Sequence, residues 1–101
     1  MDQVYVMQRA NGDCFTHEVN GSLSVPLFHS VHDALMSRLQ NFSMMLFKPV
    51  KLTSGLMSKV LSESAGRELS FSVVDDPFMS LKGAARIDRN QLFSLTEVAA
   101  N

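Results

Sequence analysis

The sequence of 101 residues is poor in several features that decide fold class and compartment. It has no tryptophan and a single cysteine, Cys14, so it cannot form an internal disulfide, which favours a reducing compartment. Nine Lys and Arg against ten Asp and Glu give a net charge of −1, without the basic excess that drives nucleic-acid binding. The longest apolar run, Met44–Phe47, is far too short to span a membrane.

The composition is that of a globular domain. Hydrophobic residues make up 46% and charged residues 19% of the chain, which excludes intrinsic disorder. A chain of this size buries about 65% of the surface that it exposes when unfolded, so we expect one domain over 1–101. Met1–Val4 has neither the basic nor the apolar segment of a signal peptide. We therefore expect a cytoplasmic protein.

The first thirty residues predict three strands. Over 4–9 the chain has the period-2 pattern of a half-buried strand, and similar alternation resumes after Asn11–Gly12 and again after Asn20–Gly21. Asn-Gly pairs favour tight hairpin turns, because both residues tolerate positive φ. These features predict an antiparallel meander. Pro26 cannot donate to a ladder, so we expect it at a strand end or on an edge.

Helical spacing predicts three helices. The first covers about 31–41 with Ser30 as its N-cap, the second follows Thr53 or Ser54 and stops near Gly66, and the third opens at Asp88. Their expected core faces comprise Val31, Ala34, Leu35, Leu39 and Phe42, then Leu56, Met57, Val60 and Leu61, then Leu92, Leu95 and Ala99.

Further strands are expected between and after the helices. We predict them at 44–52, at Leu69–Val73 before the turn Asp75–Pro77, and at Ala85–Ile87. The order β-β-β-α-β-α-β-(β)-α indicates an α+β domain. We expect an antiparallel meander sheet of about five strands, with the helices packed on one face.

A few polar residues are candidates for chemistry. His29 and His32 flank a helix start and, with Asp33 or Asp75, have the donor types of a metal site or a small enzyme. The competing interpretation is a pair of hydrated side chains. Asp75–Asp76 before Pro77 suits an ordinary turn better than acid–base work. Cys14 and His17 should point to opposite faces of a strand, which argues against a shared zinc site.

Sequence motifs for catalysis or cofactor binding are missing. The serines lie outside any Gly-x-Ser-x-Gly context, and Gly55, Gly66 and Gly83 are isolated, so there is no phosphate-cradling loop. We therefore expect neither a catalytic residue nor a cofactor. A cluster of Lys82, Arg86 and Arg89 is the only support for nucleic-acid binding, the weakest of the hypotheses.

Apolar residues in expected loops are the stronger signal. Phe78, Met79 and Leu81 follow Pro77, and Met45 lies in the apolar run. Such residues often mark a partner surface, and the seven methionines are typical of adaptable contacts. We expect them to bind a protein partner or a second copy in a homodimer. The alternative is that the loop after Pro77 folds back to plug the sheet.

Two short motifs carry a resemblance. Val25–Phe28 runs into Ser30, and Phe47–Val50 has a Phe-x-Pro-Val pattern. With the Asn11–Asp13 turn, these segments resemble bacterial α+β domains of unknown function related to the N-terminal domain of SseB, over about residues 3–55. The resemblance implies a cytosolic bacterial accessory protein with no established catalytic residues. We expect an interaction domain, of an immunity or regulatory type, that acts through protein contacts.

Overall fold

The computed structural model describes residues 3–19, 21–63, 69–78, 81 and 85–87. Within them two α-helices accompany one six-stranded sheet. The strands are β1 (Tyr5–Gln8), β2 (His17–Val19), β3 (Ser22–Phe28), β4 (Lys48–Lys51), β5 (Leu69–Val74) and β6 (Ala85–Ile87). The helices are α1 (Val31–Gln40) and α2 (Ser54–Glu63), and a 3-10 turn covers Phe42–Met44.

The sheet is mixed, so the prediction of a purely antiparallel meander is wrong. Its order is β4-β1-β3-β5-β6, and β2 pairs with β3 beside this path. The central strands β3 and β5 run parallel, in register from Leu23 opposite Leu69 to Phe28 opposite Val74. Parallel neighbours need a crossover connection, which here comprises α1, β4 and α2. The other strand pairs are antiparallel, as the meander required.

Pro26 lies inside the buried central strand β3, so its expected place at a strand end or edge is wrong. Tyr5 pairs with Phe28, which puts Met7 opposite Pro26. Since Pro26 has no N–H, the Met7 carbonyl instead accepts a hydrogen bond from the Phe15 N–H, at 2.7 Å. β1 therefore leaves β3 here, and β2 takes over the pairing from Ser24 to Ser22.

Gly12 and Gly21 both lie in turns, as predicted. Val19 pairs with Ser22, and Gly21 has φ of +83°. Gly12 has φ of +95°, and its N–H donates to the Arg9 carbonyl at 2.9 Å. β1 and β2 themselves do not form a full hairpin, because the first turn carries only one bridge, between Gln8 and Cys14.

The helices lie on opposite faces of the sheet, so the expectation of a single covered face is wrong. One buried cluster joins Val6, Leu27 and Phe71 to Met57 and Val60 of α2. The other joins Met7, Phe28 and Val74 to Ala34 of α1. Because alternate strand residues point to opposite faces, the two clusters are separated by the sheet. The central strands consequently have buried residues on both sides, with the polar Ser24 and Ser72 on the face that α1 covers.

The helix boundaries follow the predicted caps. The Ser30 Oγ accepts the Asp33 N–H at 3.0 Å, and the Thr53 Oγ1 accepts the Leu56 N–H at 3.2 Å. The strand predicted at 44–52 is wrong in its first half, because β4 begins only at Lys48. The third helix and the stop at Gly66 lie outside the described residues.

A buried pair of hydroxyls links the two central strands. The Oγ atoms of Ser24 and Ser72 lie 2.9 Å apart on the face that α1 covers. Replacing one serine leaves the other hydroxyl buried without its partner, whereas replacing both removes two polar groups at once.

We expect Ser24→Ala and Ser72→Ala each to lower the free energy of unfolding by about 1–3 kcal/mol. The double variant should lose clearly less than the sum of the two, as measured by urea denaturation. Ser58→Ala, at an exposed site on α2, is the control. Strict additivity would mean that the two hydroxyls do not interact.

Candidate functional site

Four large apolar side chains project into solvent where α1 ends. Leu39 is 70% exposed, Phe42 84%, Met45 59% and Leu46 79%. We call Leu39, Phe42, Met45 and Leu46 the apolar patch. Single exposed apolar residues are normal on a protein surface, but four within eight consecutive residues are a concentration of the kind that marks interaction sites.

The backbone that carries the apolar patch is held by successive hydrogen bonds. The Met44 N–H donates to the Asn41 carbonyl, and the Met45 N–H to the Phe42 carbonyl, both at 3.0 Å. Arg38 Nη1 donates to the Phe47 carbonyl at 3.0 Å, which ties the end of α1 to the start of β4. Met44 itself is fully buried and anchors the turn in the core. The patch is therefore presented by an ordered turn.

Helix α1 explains why these residues face outward. Its fully buried residues are small, namely Ala34 and Ser37, whereas Val31 and Leu39 are exposed. Small residues let the helix backbone lie close to the sheet, and the large residues are then left on the outer side. The predicted core face of Val31, Leu39 and Phe42 is therefore wrong, although Ala34 belongs to the core as expected.

A histidine–carboxylate pair lies at the opposite end of the sheet. His29 follows β3 and Asp75 follows β5, so the parallel pairing brings them together at the carboxyl ends of both strands. His29 Nε2 and Asp75 Oδ1 are 2.8 Å apart, and both side chains are largely exposed to solvent. The neighbouring Asp76 accepts the Phe78 N–H at 3.0 Å, which is the predicted turn chemistry.

The predicted metal ligands do not converge. His29 meets Asp75, but no group of three or more His, Cys, Asp and Glu side chains among the described residues could hold a metal ion. The proposed set of His29, His32 and Asp33 or Asp75 is therefore not assembled. Cys14 packs against the buried cluster on the sheet face that α2 covers. His17 stacks on Phe15, which belongs to the cluster on the face that α1 covers. They face opposite sides, as predicted.

A cleft of about 430 Å³ opens beside the loop between β1 and β2. Phe15, Phe47 and Leu23 contribute apolar walls, and Arg9 and Asp13 line it as well. Arg9 donates to Asp13 at 2.9 Å, and this hydrogen bond, with a second from Asn11, lowers the pKa of the Asp13 carboxyl below its ordinary value. Both side chains of this ion pair are about half exposed.

The four predicted contact residues do not form one surface. Met45 belongs to the apolar patch, beside the start of β4. Phe78 is 65% exposed, but it follows β5 and lies near the carboxyl ends of β3 and β5, at the opposite end of the sheet from the apolar patch. Leu81 is only 7% exposed and packs in the buried cluster that contains Ala34 of α1. For this residue the alternative expectation, that the loop after Pro77 folds back onto the sheet, is the one that agrees with the structure. Met79 lies outside the described residues.

Sequence reasoning missed Leu39, Phe42 and Leu46 as surface residues. Their helical spacing is the same whether they face the core or solvent, so periodicity could not separate the two cases. The available signal was composition: the nine residues 39–47 contain no charged side chain, although a surface turn is normally rich in them.

Of the basic cluster considered for nucleic-acid binding, Arg86 is exposed on β6, while Lys82 and Arg89 lie outside the described residues.

Comparison of the chain with protein-family models, with curated proteins and with solved structures finds no match. The resemblance to SseB-related domains therefore stays a prediction. Neither of the described helices, each ten residues long, is long and apolar enough to cross a membrane. The apolar patch is the feature that these observations leave as the candidate site.

Leu81 and Phe78 provide a test of which part of this loop belongs to the core. We expect Leu81→Asp to lower the free energy of unfolding by about 2–5 kcal/mol, because it removes buried apolar contacts. Phe78→Asp should change it by less than about 0.5 kcal/mol. Chemical denaturation followed by circular dichroism measures both. An equal loss in the two variants would contradict the assignment of Leu81 to the core and Phe78 to the surface.

Proposed function

We propose that this chain is a small interaction domain that acts through protein contacts, and that the apolar patch is its contact surface. The observation that carries the proposal is the exposure of Leu39, Phe42, Met45 and Leu46 on an ordered turn. Contiguous apolar groups in water cost free energy, which a partner recovers by covering them. This surface differs from the contact surface predicted from the sequence, because Met45 is the one residue that the two have in common.

The composition of the patch supports this proposal. Fully buried interface centres are enriched in aromatic residues and methionine and depleted in charge. Phe42 and Met45 are of these types, and the segment 39–47 has no ionisable side chain. Since the turn is already held by hydrogen bonds, binding would order little backbone, which lowers the entropic cost of association.

The neighbouring strand β4 favours side-chain contacts over strand addition. β4 stands at one end of the strand order, and no strand of the described residues pairs with its outer side. Lys48, Pro49 and Lys51 occupy three of its four positions. Proline removes a hydrogen-bond donor, and a lysine side chain is costly to bury against another chain. This edge therefore disfavours the addition of a strand from a partner. A partner is therefore expected to bind through the patch itself.

The setting we propose is that of an accessory or regulatory protein, of an immunity type, in the bacterial cytoplasm. A single cysteine suits a reducing compartment, and the weak net charge gives no attraction to nucleic acids. The His29–Asp75 pair gives no support to the alternative of a metal-dependent enzyme, because both groups are exposed and belong to no metal-binding group of three His, Cys, Asp or Glu among the described residues.

Photo-crosslinking in living cells tests the proposal directly. A benzophenone amino acid is introduced at Phe42 in one variant and at Phe78 in a matched variant, since both positions are exposed aromatics. We expect an adduct with a protein from the Phe42 variant after irradiation, because a bound partner would cover this residue. The adduct is measured by denaturing gel and mass spectrometry.

The Phe78 variant controls for crosslinking that depends only on exposure. Adducts of equal yield at the two positions, or no adduct at Phe42, would contradict the apolar patch as the contact surface. An adduct at Phe78 alone would instead return the contact surface to the loop after Pro77.

A further inference from the structure

We propose that the occupant of the apolar patch is a second copy of this chain, so that the protein is a homodimer related by a two-fold axis through the patch. The inference rests on the proposed function and specifies its partner. A two-fold interface brings the same surface of each copy together, so it requires a surface that is compatible with itself.

Charge is the first argument for self-association. The segment 39–47 carries no ionisable side chain, so two copies can meet there without placing like charges in contact. A partner of different sequence is usually selected by complementary charges, and this segment offers none. The flanking Arg38 and Lys48 lie outside the apolar patch, and Arg38 is engaged with the Phe47 carbonyl.

Area is the second argument. The exposed fractions of the four side chains correspond to roughly 500 Å² of surface, since a large apolar side chain carries about 150–250 Å². Two copies would therefore bury about 1,000 Å² from these residues alone, close to the lower bound for a specific interface. The intervening polar residues Gln40, Asn41 and Ser43 add to this area and provide a hydrogen-bonding rim.

Fixed geometry is the third argument. A two-fold contact forms only if the surface keeps one shape in both copies. The buried Met44 and the Asn41 Nδ2 bond to the Ser37 carbonyl, at 2.8 Å, hold the patch relative to α1. Each copy therefore presents the same preorganised surface, which lowers the cost of ordering on association.

Sedimentation equilibrium on the purified full chain tests the inference. We expect the wild type and the control Phe78→Glu to be dimeric at about 100 μM, a concentration that populates a dimer of micromolar affinity. The double variant Phe42→Glu with Leu46→Glu should be a folded monomer by circular dichroism. Its dimer dissociation constant should rise at least about 100-fold, because two central apolar contacts are lost and like charges are introduced.

Two results would overturn the homodimer. One is a wild-type monomer at the highest concentration tested, and the other is a dimer that survives in the Phe42→Glu, Leu46→Glu variant. A monomer that floats with vesicles of phosphatidylcholine and phosphatidylserine would assign the patch to a lipid surface and would also overturn it. If the double variant fails to fold, Phe42→Ser with Leu46→Ser replaces it.

The cellular crosslink separates failure of this inference from failure of the proposed function. An adduct at Phe42 with twice the mass of the chain supports both. An adduct with a different protein keeps the interaction domain but overturns the homodimer. The absence of an adduct at Phe42 contradicts the interaction surface itself.

Discussion

The parallel pairing of β3 with β5 is the interaction on which the rest of the structure depends. Six residue pairs are in register along it, from Leu23 with Leu69 to Phe28 with Val74. Both strands are buried on their two faces, and the Ser24–Ser72 hydroxyl pair lies between them. β1 and β2 pair with β3, β6 pairs with β5, and β4 joins the sheet through β1.

The central strands carry buried apolar residues on both faces, including Leu27 and Phe71 on one and Phe28 and Val74 on the other, so a helix covers each face. α2 covers one face with Met57 and Val60, while α1 covers the other with its small residues Ala34 and Ser37. Because small residues form the inner side of α1, its large residues Val31 and Leu39 remain outside. The apolar patch is thus a consequence of how α1 packs, continued by the turn that holds Phe42, Met45 and Leu46.

Local features of the fold were predictable from sequence because local chemistry determines them. The turn at Gly21 follows from the need for positive φ, and the helix starts follow from the caps Ser30 and Thr53. The β3–β5 pairing was not predictable, since it joins strands that are separated by two helices and a strand. The place of Pro26 was not predictable for the same reason: the Met7 carbonyl opposite it accepts a hydrogen bond from the Phe15 N–H instead, a contact between separate segments of the chain.

The candidate site was predictable only in part. The apolar run at Met44–Phe47 pointed to Met45, but the run contains a buried Met44 beside an exposed Met45, and no periodic pattern assigns the two. Leu39 and Phe42 match the spacing of a core face, and only the packing of Ala34 and Ser37 shows that they point away from it. Which face of a helix is covered depends on how the helix packs against the sheet, and this packing is set by tertiary contacts.

Nuclear magnetic resonance on the wild-type chain tests the central claim, that two copies of the folded chain associate through the apolar patch. Amide correlation spectra would be recorded from about 20 μM to about 1 mM, a range that brackets a micromolar dissociation constant. The account predicts that concentration-dependent shifts are confined to amides of residues 38–48, while β3 and β5 keep their positions. Spectra that do not change with concentration, or changes centred on residues 75–78, would contradict it.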